Sequence, residues 1–125
     1  MEDLVHAKSA YLPGISFHAN TGILSISGRS VSENPVPFYQ NLQDWVCNYF
    51  QNPHSKTVLS FEMEYVNSSS AKLVYNIIEV VDQFAEKGFD CEVLWHFERD
   101  DESMEELGLH FQGSFKVPFL MIETD

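Results

Sequence analysis

The stretch KTVLSFEMEYVNSSSAKLVYNIIEVVDQFAEKG, Lys56–Gly88, changes its hydrophobic period once, and that change decides the fold. Over Lys56–Val66, Thr57, Leu59, Phe61, Met63 and Tyr65 fall on one parity, and Val58, Ser60, Glu62, Glu64 and Val66 on the other. A period of two reads as a strand, with the first, more apolar set facing a core. From Ala71 to Lys87 the period lengthens. Val74, Ile77, Ile78, Val81, Phe84 and Ala85 recur at helical spacing, with Leu73 and Val80 widening the stripe. Gly88 follows the last turn and supplies the left-handed residue on which helices end.

The same strand-to-helix alternation extends in both directions. Upstream, Ile15–His18 and Ile23–Ser27 alternate around Ala19-Asn20-Thr21-Gly22, which has hairpin-turn chemistry. Gly28 to Pro37, with Ser30, Ser32, Glu33 and Asn34, reads as a loop. Phe38, Leu42, Trp45, Val46, Tyr49 and Phe50 then form a helical stripe that Asn52-Pro53 stops. Downstream, Cys91–Phe97 has strand length and Asp100-Asp101-Glu102 opens a third helix through Met104, Leu107 and Phe111. Val117–Ile122 closes as a strand, with Pro118 near its start. Residues 1–14 read as a loosely held arm ending in the Pro13-Gly14 turn. The expected fold is α/β: one mixed, largely parallel sheet with an N-terminal β-hairpin and about three helices, in a single domain spanning residues 1–125.

Charge narrows the partners. The 125 residues carry 7 basic and 19 acidic side chains, a net charge of −12. Seven scattered cations cannot track a phosphate backbone or hold an anionic membrane, so nucleic acid and membrane surfaces are disfavoured. The acids are unevenly placed: residues 1–60 sum to −1 and residues 61–125 to −11, with six acids between Glu98 and Glu106. The Met-Glu-Asp start lacks a signal peptide's basic and apolar regions, and no apolar run is long enough to span a bilayer. The expected location is cytoplasmic. Cys47 and Cys91 stand alone in apolar segments and read as buried reduced thiols.

Catalytic signatures for nucleotide, phosphate, zinc and serine-hydrolase chemistry are all missing, so no catalytic residue and no cofactor is expected. Histidines 6, 18, 54, 96 and 110 are dispersed, and His96 reads as an ordinary strand-face residue. The 98–106 cluster lacks a calcium loop's alternating ligands and central glycine, and reads as a solvated helix start. Asn67-Ser68-Ser69-Ser70 stands out. One serine there is explained as a helix N-cap, but three exceed what a cap requires. A phosphoryl group on one of them would meet the free N–H groups and positive dipole end of the helix, and would add about −1.5 to −2 charges.

These residues carry a family resemblance. Gly28-Arg-Ser30-Val-Ser-Glu33-Asn34, helical Trp45, Tyr65-Val-Asn67-Ser68-Ser69-Ser70, Trp95-His96 before an acidic run, and Val117-Pro118-Phe119 occur in the family's order. Over about residues 12–123 the chain resembles the SiaC-type regulatory phosphoproteins. The resemblance implies a STAS-like fold and a non-enzymatic, partner-switching role. It also implies a partner kinase, a PPM-type phosphatase, and a diguanylate cyclase that the unphosphorylated form stimulates, in control of cyclic di-GMP and biofilm growth. The matching acceptor is Ser68, where the family has Thr; Ser69 and Ser70 remain alternatives, and Asn67, Ser69 and Ser70 form the switch corner. Three other functions stay open: an anti-sigma-factor antagonist phosphorylated at the same corner, a small metal-dependent enzyme using acids 98–106, and a purely structural subunit for which phosphorylation is irrelevant.

Overall fold

The computed structural model describes all 125 residues. Its strands are β1 (Leu4–His6), β2 (Gly14–His18), β3 (Ile23–Ser30), β4 (Thr57–Val66), β5 (Cys91–Glu98) and β6 (Phe119–Thr124). Helices α1 (Val36–Tyr49), α2 (Ser68–Glu86) and α3 (Glu102–Ser114) join the last four. The six strands form one sheet in sequence order, antiparallel through β1, β2 and β3 and parallel from β3 to β6. This is the mixed, largely parallel sheet with three helices that the periodicities require.

Strands β3 to β6 step across the sheet in one direction. Right-handed connections then place all three helices on the same face. Burial follows: Leu24, Ile26, Leu59, Phe61, Val93 and Trp95 are sealed beneath the helices, whereas Ser25, Ser27, Glu62, Leu94 and His96 on the opposite face stay partly or fully exposed. The core joins Leu42 and Val46 of α1, Val74, Ile77, Ile78 and Val81 of α2, and Met104 and Phe111 of α3 to those strand residues.

Three local readings are corrected. Residues 28–30 do not belong to a loop: β3 continues through them to Ser30, which is fully buried and pairs with Val66. Gly28, at φ +105°, permits the kink, and the register jumps there, opposing Gly28 to Met63 but Arg29 to Tyr65. The residue skipped in β4 is Glu64. The parity expected of β4 therefore inverts beyond it, turning Tyr65 out at 47% exposure and Val66 in at 7%. The N-terminal arm is also fastened in part. Leu4–His6 adds an edge strand to β2, the Trp45 indole N–H donates to the Glu2 carbonyl at 3.0 Å, and Asp3 Oδ2 lies 2.8 Å from His18 Nδ1. Three residues are too few to display a period.

Helix starts shift for identifiable reasons. Pro35 caps α1, leaving Val36 and Pro37 in the first turn, where a proline costs no hydrogen bond. α2 begins three residues before Ala71, because Asn67, not a serine, is its N-cap. Gly88, at φ +107°, follows the last turn of α2. No helix is long and apolar enough to cross a membrane.

Candidate functional site

β4 delivers its chain to α2 through Asn67, whose extended backbone (φ −76°, ψ 169°) ends the strand and opens the helix. Its N–H donates to the Ser30 carbonyl at 3.0 Å, fixing the corner against β3. Its side-chain Oδ1 accepts from the Ser70 amide at 2.9 Å and from the Ser69 hydroxyl at 3.2 Å. Its Nδ2 reaches the Ser32 carbonyl at 3.5 Å. One side chain thus ties the helix start to the loop after β3.

The three serines occupy different environments. Ser70 has no exposed surface. Its hydroxyl accepts from Ser30 Oγ at 2.8 Å, and Ser30 Oγ lies 2.7 Å from the Tyr39 hydroxyl on α1. Three buried hydroxyls therefore join β3, α1 and α2 directly beneath the corner. Burial pushes the Tyr39 phenol up to about 12, against a smaller lowering by its hydrogen bond with Ser30. Ser69 is exposed, but its hydroxyl is engaged with Asn67. Ser68, the first residue of α2, is exposed and makes no side-chain hydrogen bond within the protein.

Within α2 itself, the helix start at Ser68 favours negative charge. Asn67 Oδ1 satisfies the Ser70 amide, which leaves the amides of Ser68 and Ser69 at the helix start without a backbone acceptor. No acidic side chain occupies the first turn of α2, whereas Glu102 and Glu105 occupy that of α3, whose cap is Asp101. Lys72 stands one turn along from Ser68, exposed and in no ion pair, at the spacing where side chains on a helix meet. Serine hydroxyl, free amides and a lone ammonium are the components of a phosphate seat.

The other candidates fall elsewhere. Acids 98–106 run from the last residue of β5 into α3, with Asp101 accepting from the Met104 amide at 3.1 Å. They sit at the same end of the sheet as Ser68, because β4 and β5 are parallel. No three His, Cys, Asp or Glu side chains converge on a point that could hold a metal ion. His96 lies on the uncovered sheet face, opposite Glu62 and Ile122. Both cysteines are free thiols, Cys91 buried and Cys47 partly so. Burial, with Asp90 adding, pushes the Cys91 thiol up to about 11. Sequence reading missed a chain of side chains on β2, where Ser16 Oγ meets His18 Nε2 at 2.7 Å and His18 Nδ1 meets Asp3. The i, i+2 spacing of Ser16 and His18 was visible, but the approach of Asp3 depends on β1.

Over residues 6–124 the sequence matches the SiaC family of regulatory phosphoproteins. An uncharacterised protein of Pseudomonas aeruginosa (strain UCBPP-PA14) is 27% identical over 125 residues, spanning 100% of this chain and 99% of that one. The fold matches SiaC of Pseudomonas aeruginosa with a TM-score of 0.92 at 25% identity, covering 99% of this chain and 100% of that chain. It also matches a chain in the crystal structure of the diguanylate cyclase SiaD in complex with its activator SiaC, from the same organism. There the TM-score is 0.91 at 25% identity, over 98% of this chain and 100% of that one.

Proposed function

Since the chain belongs to the SiaC family of regulatory phosphoproteins, we propose that it is a non-enzymatic cytoplasmic switch with Ser68 as its phosphate acceptor. In its unmodified form it binds and stimulates a diguanylate cyclase. A partner kinase adds phosphate at Ser68 and a PPM-type phosphatase removes it. One observation carries the choice of residue: among the three adjacent serines, only Ser68 is both exposed and free of side-chain hydrogen bonds. The cyclase assignment is supported by the likeness to the activator in the SiaD–SiaC complex.

The signal is electrostatic. A dianion at Ser68 gains the two free amides and Lys72 locally, so the fold holds it at little cost. A partner arriving at that end meets Glu64, Glu98, Asp100 and Glu102, all exposed, and now a phosphate as well. If the partner's footprint includes the Ser68 hydroxyl, the added charge and bulk break its fit.

The test is cyclic di-GMP synthesis by the cyclase with unmodified protein, Ser68→Ala, Ser68→Asp and Ser68-phosphorylated protein. The expected result is full stimulation by the first two, none by the phosphoprotein and an intermediate level with Asp. Equal stimulation by the phosphorylated and unmodified forms overturns the switch. Binding of an anti-sigma kinase in place of a cyclase makes the chain an anti-sigma-factor antagonist.

A further inference from the structure

One face of the sheet has no helix over it, and its composition is not that of an inert solvent face. Register places Ser16, Ser25, Ser60, Leu94 and Leu120 in one row across the strands, and Ser27, Glu62, His96 and Ile122 in the next. The β6 side is thus apolar, with Leu120 49% exposed and Leu94 and Ile122 half-buried. Toward the strands' C-terminal ends lies a groove of about 540 Å³, whose lining includes Glu62, Glu64, His96, Glu98, Lys8 and Arg29.

The charges around this groove are unspent. The ion pairs of the protein are Lys56–Glu92, Arg99–Glu123 and Lys116–Glu86, with His18 Nδ1 hydrogen-bonded to Asp3 besides. Glu62, Glu64 and Glu98 belong to none of them, although Lys8 and Arg29 line the same groove. Gly28 carries no side chain, and the Lys8 stem lies against it, while the bulge carries Arg29 and Tyr65 out of step with Glu64.

We propose that this uncovered face is a docking surface for a basic, amphipathic segment of a protein partner. The segment's Lys or Arg side chains pair with Glu62, Glu64 and Glu98, and its apolar side covers Leu94, Leu120 and Ile122. The chemistry excludes other occupants. Three unpaired carboxylates repel a phosphate backbone. A second copy would bring the same acids against themselves across a two-fold axis, between molecules of charge −12 each. The face lies on the side of the sheet away from α2, which Ser68 opens, and only its rim, at Glu64 and Glu98, borders the Ser68 corner.

The experiment uses the full chain and a short fluorescein-labelled peptide of alternating Arg and Leu, read by anisotropy and by ¹⁵N–¹H shift mapping. Expected shifts cluster on Glu62, Leu94, His96, Glu98 and Ile122. Glu62→Gln with Glu98→Gln should weaken binding about three- to tenfold, as the loss of two half-exposed ion pairs implies. Raising salt should weaken it further. Leu94→Ser should also weaken it, and Ser68→Ala should leave it unchanged, which separates this surface from the switch. The Gln substitutions are isosteric and exposed, so an unchanged thermal midpoint establishes that they fold. Shifts centred on Glu102, Glu105 and Glu106, affinity indifferent to the double substitution, or no binding would each overturn the proposal.

Discussion

Burial divides three serines that look alike in sequence. Ser70 receives a hydrogen bond from Ser30 in the interior. Ser70→Ala deletes that acceptor and should cost about 1–3 kcal/mol in urea unfolding, because a buried hydroxyl loses its partner. Ser68→Ala removes only an exposed hydroxyl and should stay within about 0.5 kcal/mol of the parent while abolishing phosphate incorporation, as intact mass would show. Tyr39 supplies a pH signature. Its folded value of about 12 lies above the ordinary 10, so its contribution is complete below pH 10 and is lost as pH rises through 12. Tyr39→Phe should therefore lose less stability than the parent between pH 10 and 12, measured by denaturant titration. The motif was legible from residues 67–70, but the difference between its members was not. It depends on Ser30 and Tyr39, which lie 40 and 31 residues before Ser70 in the chain.

At the scale of elements, period and punctuation carried most of the fold. The change of period across residues 56–88 yields β4 and α2, because both are long enough to repeat their pattern several times. What escaped were features set by neighbours. β3 runs three residues past Ser27 because Gly28 bends and Val66 waits opposite Ser30, and β1 exists because β2 offers it an edge. The packing of α3 was equally hidden. A methyl group added at Gly108 would meet Trp95 and lie 2.7 Å from Met121 Cε. The Trp95 indole also donates to the Met104 carbonyl at 2.9 Å, so it cannot move aside freely. Gly108→Ala should cost about 1–3 kcal/mol and release α3 first, a loss that hydrogen exchange of its amides would localise.

Over the whole molecule, part of the acidic second half gathers at one end of the sheet. Glu64, Glu98, Asp100, Asp101 and Glu102 gather where β4 and β5 end, beside the entry to α2. Their mutual repulsion should make the thermal midpoint rise as salt is added from low ionic strength, most of it by about 0.1 M, where the Debye length falls to about 10 Å. Scanning calorimetry across a salt series checks the sign. That the second half was acidic could be counted; that these five of its acids converge at one end needed the parallel register. The one-sided winding carries a further consequence. Every strand that feeds a helix does so at the same end, so the Ser68 corner, the start of α1 and the acidic turn form a single landing place. Two proteins that both need it must take turns. If the kinase and cyclase of the proposed function both dock there, a catalytically dead kinase in excess should silence the cyclase simply by sequestering the chain.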